Sequence, residues 1–170
     1  DSVASRGLGD VYKRQIHMSI YLITYQDDYQ QLIDLVLKSN TIIFASPVYW
    51  YIISDSLKAF IDHWSETLQD QNYRDFKSKM AQKDFRLILV GGDCPKVKAK
   101  PCITQMKYSL EFLGRELTGY IIGTAEKLGD IKQDTFSLAR ANQWNEELKN
   151  KDIKKLSLIH ISEPTRRYAI

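Results

Sequence analysis

The sequence contains few of the residues that disulfide scaffolds, metal sites and membrane spans require. Its 170 residues include only two cysteines, Cys94 and Cys102, and their C-x7-C spacing matches no common zinc or thioredoxin-like pattern. So few cysteines fit a reducing compartment without proving one, and we expect a cytoplasmic protein. No apolar run approaches the roughly 20 residues of a membrane-spanning helix. We therefore expect neither a metal centre nor a membrane partner.

An excess of charge of one sign is also missing. The formal net charge is +3, and the first and last fifteen residues contribute +1 each, which leaves +1 over residues 16–155. This small charge indicates no strong electrostatic attraction to nucleic acid or to an anionic membrane. The 140 residues between the two ends fit a single domain.

The two ends of the chain are related at the level of their codons. Codons exist that make residues 1–15 the reverse complement of residues 156–170: Leu156 as CTG pairs with Gln15 as CAG, and the relation holds at every position but extends no further inward. Both ends resemble a translated transposase-type sequencing adapter, so we exclude them from fold reasoning. The alternative is a basic N-terminal tail and an apolar C-terminal strand. We expect a partial domain over residues 16–155, without its true N-terminus.

Strand and helix patterns alternate within this domain. Short apolar runs predict strands over Met18 to Thr24, Thr41 to Ala45, Phe85 to Val90 and Leu117 to Ile122, the last one closed by Gly123. Helical periodicity predicts helices from Asp27 or Asp28 to about Lys38, and over Ser54 to Leu68, Pro101 to Leu113 and Asp134 to Lys149. The polar stretch Gln69 to Lys83 is expected to be loop with some helix. Such alternation favours a parallel sheet covered on both faces.

Two loops follow buried strands of this sheet, and ligands of open α/β sheets bind at such carboxyl ends. The first, Ser46 to Ser54, carries three adjacent aromatic residues after a proline. Adjacent side chains cannot all face one core, so at least one ring should project from the sheet edge as a flat apolar wall, which suits a flavin. Alternatively, these rings cover the core or form a subunit contact. The second loop, Gly91 to Pro101, begins with two glycines.

The segments IIFASPVYWY (Ile42 to Tyr51) and LKAFID (Leu57 to Asp62), with Ser54 between them, resemble the signature of the NADPH-dependent FMN reductases of the flavodoxin-like superfamily. The resemblance runs from about Tyr25 to Leu148. It implies a flavodoxin-like three-layer α/β sandwich with a parallel sheet in the order 2-1-3-4-5. The first strand of that family and the Ser/Gly-rich loop that cradles the FMN phosphate at a helix N-terminus are missing from residue 16 onward. We therefore expect this chain to fold poorly and to bind FMN weakly.

The resemblance also implies which residues contact the cofactor. In the first loop they line the isoalloxazine ring, and in the second they approach the flavin and its ribityl chain, although the two glycines could instead form only a turn. The implied cofactor-binding residues are Ser46, Pro47, Val48, Tyr49, Trp50, Tyr51, Gly91, Gly92 and Asp93. No catalytic side chain and no metal ligand are expected.

The implied function is an FMN-dependent NAD(P)H oxidoreductase. It would pass hydride from NAD(P)H through the flavin to a small acceptor such as a quinone, a nitro or azo compound or free flavin, and it would act as a homodimer with the aromatic loop near the interface. One alternative is a flavodoxin-like electron carrier, which the charge of +1 disfavours. Another is a non-catalytic binding domain on the same fold, because a fold does not determine a function.

Three further features have plain structural interpretations. Lys58 and Asp62 are four residues apart on a predicted helix, which predicts a surface ion pair. His63 lies beside the apolar face of that helix and is interpreted as structural. Cys94 could be redox-sensitive, but we expect a partly buried bystander.

Overall fold

The computed structural model describes residues 28–150 and 156–160. The four strands of these residues are β1 (Thr41–Pro47), β2 (Asp84–Gly91), β3 (Leu117–Thr124) and β4 (Leu156–His160). The helices are α1 (Tyr29–Lys38), α2 (Asp55–Asp62), α3 (Trp64–Thr67), α4 (Phe76–Met80), α5 (Pro95–Lys98), α6 (Lys100–Phe112) and α7 (Thr135–Asn150), with 3₁₀ turns at Gln71–Tyr73 and Asp130–Gln133. The strand predicted over Met18 to Thr24 lies outside the described residues.

The strands form one parallel sheet in the order β3-β2-β1-β4. Phe44 of β1 lies opposite Leu87 of β2, and Ile88 lies opposite Ile121 of β3. In the predicted order 2-1-3-4-5, strand 4 lies between strands 3 and 5. The neighbouring strands β1, β2 and β3 correspond to these strands 3, 4 and 5. Helices lie on both sides of the sheet, which confirms the predicted α/β sandwich.

Strand β4 belongs to the segment that we interpret as adapter-derived. It pairs in parallel with β1, with Leu156 opposite Thr41 and His160 opposite Ala45. A C-terminal strand was the alternative reading of this segment. The pairing describes the conformation of the segment and does not test the origin of its codons, which stays a prediction.

The predicted helix from Ser54 to Leu68 forms as two helices, α2 and α3. Ser54 caps α2, because its hydroxyl accepts the N–H of Leu57 at 3.3 Å. The break comes at His63, whose carbonyl accepts the N–H groups of Glu66 and Thr67 and also the Thr67 hydroxyl, at 3.1 to 3.2 Å. This competition for one carbonyl tightens the turn and interrupts the regular helix.

Two smaller expectations also need correction. Asp28 stands at the N-cap position of α1, but its side chain makes no capping hydrogen bond. Strand β3 does not close at Gly123 and continues to Thr124, because Gly123 has extended backbone that pairs with Val90. A Cβ at position 123 would lie 2.5 Å from Cδ1 of Ile131, so this glycine permits close packing rather than a turn.

The core lies between the sheet and the predicted apolar helix faces. Phe44 stacks on Phe85 with ring centroids 6.1 Å apart, and Trp64 packs on Phe44 at 6.2 Å. The stripe predicted for α2 is buried through Leu57 and Phe60. In α6 and its C-cap, the predicted inward residues Ile103, Met106, Leu110 and Leu113 are all buried. Burial of these stripes is the main force that fixes both helices on the sheet.

Two long cationic side chains are buried beside this core. Lys83 is 5% exposed and donates from Nζ to the carbonyls of Leu37 at 3.0 Å and Ser39 at 2.6 Å. It therefore satisfies carbonyls at the C-terminal end of α1, where a helix favours a cation. Burial, with a smaller effect of nearby Lys79, lowers the pKa of Lys83. Arg86 of β2 is also 5% exposed.

Asp134 joins the end of β3 to the start of α7. Its carboxylate accepts the N–H groups of Ser137 at 3.0 Å and Thr124 at 2.9 Å, and the Ser137 hydroxyl at 2.9 Å. The bonds from these two backbone groups, Ser137 first, lower the pKa of Asp134 below its usual value. Asp134 is thus the N-cap of α7 and an anchor for the adjacent strand end.

We expect the Asp134→Ala variant to lose about 1 kcal/mol of unfolding free energy near neutral pH, because it removes this cap. The pKa of Asp134 is lower in the folded state than in the unfolded state. The charged cap therefore stabilises the fold at pH values above the unfolded-state pKa of Asp134. This stabilisation is lost as the pH falls through the pKa of Asp134 in the folded state. Urea unfolding at a series of pH values measures both effects. Asp134→Asn keeps an acceptor without a titratable group, so its difference from wild type should shrink in acid; a constant difference would contradict this account.

Candidate functional site

The loop after β1 forms a tight two-residue turn. The N–H of Val48 donates to the carbonyl of Val90 at 2.8 Å, which holds the start of the loop on β2. Tyr49 and Ile52 then exchange two N–H···O bonds, each of 3.0 Å. The two central residues are Trp50 with φ of 46° and Tyr51 with φ of 68°. Positive φ at both central positions is the signature of a type I′ turn.

Bulky aromatic residues are unusual in this conformation. Type I′ turns favour Asn and Gly, because a side chain in left-handed backbone costs roughly 1–2 kcal/mol. Trp50 recovers little of this cost by packing, since its side chain is 90% exposed. Tyr49, Tyr51 and Ile52 are also about half exposed. An exposed aromatic turn held in strained backbone is a feature typical of functional sites.

Hydrogen bonds inside the protein hold this turn in place. The buried Ser46 hydroxyl donates to the carbonyl of Pro47 at 2.8 Å and accepts the N–H of Ser54 at 2.9 Å. The thiol of buried Cys102 donates to the carbonyl of Tyr51 at 3.3 Å. Ser46 therefore has a structural role in the loop, and its expected flavin contact stays a prediction.

The loop after β2 packs directly against the first loop. A Cβ at Gly91 would lie 3.3 Å from Cβ of Pro95 and 3.4 Å from Cβ of Val48, so the two loops meet closely at this glycine. Asp93 forms an ion pair with Lys98, which raises the pKa of that lysine. The Lys98 ammonium lies 5.9 Å from the centre of the Tyr51 ring. Lys98 therefore links the two loops electrostatically.

The two loops together line a cavity of about 190 Å³. Six of the predicted residues line it, together with Pro95 and Lys98; the six are Val48, Trp50, Tyr51, Gly91, Gly92 and Asp93. The structure does not bring Ser46, Pro47 or Tyr49 into the lining. The volume is below the roughly 300–1,000 Å³ usual for a small-molecule site. We therefore treat this cavity as one part of a candidate ligand site.

Backbone donors are available beside this cavity. The N–H groups of Trp50, Tyr51 and Gly92 have no hydrogen-bond partner within residues 28–150 and 156–160. All three residues line the cavity. Such N–H groups can bind the polar edge of a ligand or negative charge on it.

The remaining predicted residues fall outside the cavity. Cys94 is exposed, so the expectation of a partly buried thiol was wrong; its backbone is left-handed, with φ of 45°, at the start of α5. His63 is buried, with Nδ1 3.1 Å from the Glu66 carboxylate and its ring stacked on Tyr29 at 4.6 Å, which agrees with a structural role. The predicted surface ion pair of Lys58 and Asp62 is confirmed.

The described part of the chain contains a second cavity besides the one between the loops. This larger cavity of about 560 Å³ runs along β3, and its lining includes Lys96 and Lys100 of the second loop. Among the described residues, no group of three His, Cys, Asp or Glu side chains could hold a metal ion. No helix in this part of the chain has the length and apolar character needed to cross a membrane. The loop cavity is the better candidate, because it lies at the carboxyl ends of parallel strands.

Fold and site together define a flavodoxin-like protein. The sequence profile of the flavodoxin-like fold family matches residues 14–148, so the chain belongs to that family. It is 42% identical over 118 residues to the putative NAD(P)H-dependent FMN-containing oxidoreductase YwqN of Bacillus subtilis (strain 168), covering 69% of this chain and 65% of that protein. It is also similar to the solved structure of the Trp repressor binding protein from Bacillus subtilis, with 42% identity and a TM-score of 0.68 over 70% of this chain and 71% of the other.

Proposed function

We propose that the protein is an FMN-dependent NAD(P)H oxidoreductase whose flavin ring is held by the loops after β1 and β2. The observation that carries the proposal is the cavity lined by both loops at the carboxyl ends of parallel strands. The printed name of the 42% identical relative, an NAD(P)H-dependent FMN-containing oxidoreductase, supports it. Because the chain spans 65% of that relative's length, the activity is proposed for the full-length protein.

The residues of the cavity fit a flavin. Trp50 and Tyr51 offer flat apolar ring faces, which suit the faces of the isoalloxazine system. The N–H groups of Trp50 and Gly92, which have no hydrogen-bond partner among the described residues, suit its polar pyrimidine edge. The Lys98 ammonium adds positive charge next to Tyr51, and a preorganised positive environment stabilises negative charge. When bound, FMN supplies the hydride-transfer chemistry, while the protein supplies position and electrostatics.

The second substrate is proposed to be a small electron acceptor, such as a quinone, a nitro or azo compound or free flavin. NAD(P)H is the proposed hydride donor, and no protein side chain is proposed as a catalytic acid or base. Trp50 and Tyr51 line the cavity and are exposed, so their rings offer surface to a flat ligand. A cytoplasmic location is proposed on the low cysteine content.

A second copy of the chain is the proposed protein partner. Tyr49, Trp50, Tyr51 and Ile52 expose between 46% and 90% of their surface and form one continuous apolar segment. Contiguous exposed apolar surface marks interaction sites in soluble proteins. A dimer that covers this turn would bury the rings around the cavity.

The direct test of the activity is steady-state NADH and NADPH oxidation by the full-length protein loaded with FMN. We expect turnover with at least one acceptor class and none after FMN has been removed. If FMN is bound and neither nucleotide is oxidised with any of these acceptors, the oxidoreductase proposal is wrong.

A further inference from the structure

A long groove follows the outer edge of β3, on the side away from β2. It is the cavity of about 560 Å³, and one wall comes from α5 and α6 while the other comes from the start of α7. Residues 117–122 of β3 form its floor. Within the described residues β3 pairs with β2 alone, so this edge of the sheet has no neighbouring strand there.

The backbone of β3 presents hydrogen-bonding groups to the groove. The Ile122 carbonyl accepts the Ser137 hydroxyl of α7 at 2.9 Å, and the Thr124 N–H donates to Asp134 at 2.9 Å. Both groups therefore point to the outer edge. Since backbone groups alternate between the two edges along a strand, Tyr120 directs its N–H and C=O groups outward as well. The alternation does not extend to Thr118, because the pairing with β2 shifts register there, with Phe85 opposite Leu117 and Arg86 opposite Gly119.

The start of α7 covers only the carboxyl end of this edge. Ser137 uses the outward C=O of Ile122, and Asp134 uses the outward N–H of Thr124. Residues 119–122, beyond the register shift, span roughly 13 Å at the usual rise of a strand. An open edge of this length is a template for another extended chain.

The groove is cationic along both walls. Four basic side chains line it, and among the described residues its lining contains no Asp or Glu; the four are Lys96, Lys100, Lys107 and Arg140. Lys96 lies over the exposed Phe136 ring, 5.6 Å from its centroid. Acidic residues lie at both ends of the groove: Asp134, which interacts with Lys96, at the carboxyl end of β3, and Glu111 and Glu116 in a neighbouring cavity at the other end. Between these ends the described lining has one sign of charge beside an open strand edge.

We propose that this groove binds an extended acidic segment of a partner protein, which adds as a strand to the edge of β3. Main-chain hydrogen bonds to the N–H and C=O of Tyr120 and to the N–H of Ile122 would hold the segment, its carboxylates would pair with the four cations, and apolar side chains would contact Ile103 and Phe136. The occupant is not a second copy of this edge, because two copies would bring eight cations together. Lysines also protect strand edges from self-pairing, and the experiment separates that role from docking.

The probe is a fluorescein-labelled octapeptide of alternating Glu and Val, titrated with the full chain at low salt and followed by fluorescence anisotropy. We expect saturable binding, and no binding of the matching Lys-Val peptide. The groove variant Lys100→Gln/Lys107→Gln/Arg140→Gln should bind the acidic peptide about tenfold or more weakly. The control Lys58→Gln/Lys79→Gln/Lys149→Gln removes the same charge from exposed ion pairs elsewhere and should change affinity less than about twofold.

Two further arms test the strand pairing itself. An acidic peptide with every internal backbone nitrogen methylated should lose binding, because it cannot donate to the β3 edge. Tyr120→Pro removes an outward N–H without touching the bonds to β2, so it should abolish binding while the thermal unfolding midpoint stays within a few degrees. Three results would each overturn the proposal. The control triple variant could lose as much peptide affinity as the groove variant, or the methylated peptide could bind as tightly as the unmethylated one. A single-stranded oligonucleotide of the same charge could also compete equally well for the site. Self-association of the groove variant without any peptide binding by wild type would assign the lysines to edge protection instead.

Discussion

Replacing Trp50 by Asn and Tyr51 by Gly is expected to stabilise the fold and to weaken flavin binding at the same time. Both residues have left-handed backbone, which Asn and Gly adopt at little cost. Relief of the backbone strain at both positions should raise the unfolding free energy by about 2 kcal/mol and the thermal unfolding midpoint by roughly 4–8 °C. Few tertiary contacts are lost, because Trp50 is 90% exposed and the Tyr51 carbonyl still accepts the Cys102 thiol.

The same double variant removes both ring faces from the proposed flavin site. We expect the affinity of the full-length protein for FMN to fall by about tenfold or more, since each ring offers stacking worth roughly 1 kcal/mol. Urea unfolding and FMN titration measure the two effects on one protein. A rise in stability together with a fall in FMN affinity would show that the strained backbone of this turn is kept for flavin binding at the expense of stability.

Trp50→Leu is the matched control, because it removes a ring but keeps a side chain in left-handed backbone. It should lose FMN affinity without any gain in stability. If the double variant binds FMN as tightly as wild type, the aromatic turn is not a wall of the flavin site.

Arg86→Ala is expected to cause the largest loss of stability among single polar substitutions. Arg86 contacts Asp84 at 3.3 Å and Glu147 at 3.1 Å, and its guanidinium lies 4.9 Å from the centre of the Trp144 ring. These contacts join β2 to α7 under nearly complete burial. Their loss leaves the largely buried Asp84 carboxylate without this cation, and we expect about 3 kcal/mol of destabilisation.

Arg74→Ala is the control for this prediction, since Arg74 is exposed and its side chain contacts Gln71 at 3.5 Å. Its unfolding free energy should stay within about 0.5 kcal/mol of wild type. Glu147→Gln should have a small effect, because Glu147 is 41% exposed and water screens its pair with Arg86. Urea midpoints that are equal for Arg86→Ala and Arg74→Ala would show that the buried guanidinium contributes nothing.

The order of strands and helices could be predicted because it depends on local patterns. Apolar runs of strand length, such as the one at Thr41 to Ala45, and the helical stripe that contains Leu57 and Phe60 need no distant partner to be recognised. The position of the site followed from the same patterns, since the carboxyl ends of parallel strands meet at one edge. Hence Val48 and Gly91, far apart in the sequence, were expected near one ligand.

The features that the sequence did not reveal depend on distant partners. Long cationic residues are usually exposed, so nothing marked Lys83 and Arg86 as buried. Their partners, the Leu37 carbonyl and Glu147, lie 46 and 61 residues away. Lys98 was missed because the packed loops alone bring it to the distant Tyr51, although its ion-pair partner Asp93 lies only five residues away.

The backbone of the aromatic turn could not be predicted either. Left-handed residues are normally announced by Gly or Asn, and the segment Tyr49 to Ile52 contains neither. The two exchanged bonds between Tyr49 and Ile52 and the thiol of Cys102 on the Tyr51 carbonyl impose this conformation. Cys102 itself gave no sequence signal for such a role.

The most direct test of the proposed site is a titration of the isotope-labelled chain with FMN, followed by amide chemical shifts in ¹H–¹⁵N correlation spectra. This measurement detects weak as well as tight binding, and it reports on each backbone N–H separately. The account predicts the largest shifts at Trp50, Tyr51, Gly92 and Asp93, and little change at residues 117–122 of the β3 groove. Shifts concentrated along β3, or none at the two loops under conditions where flavin is bound, would contradict it.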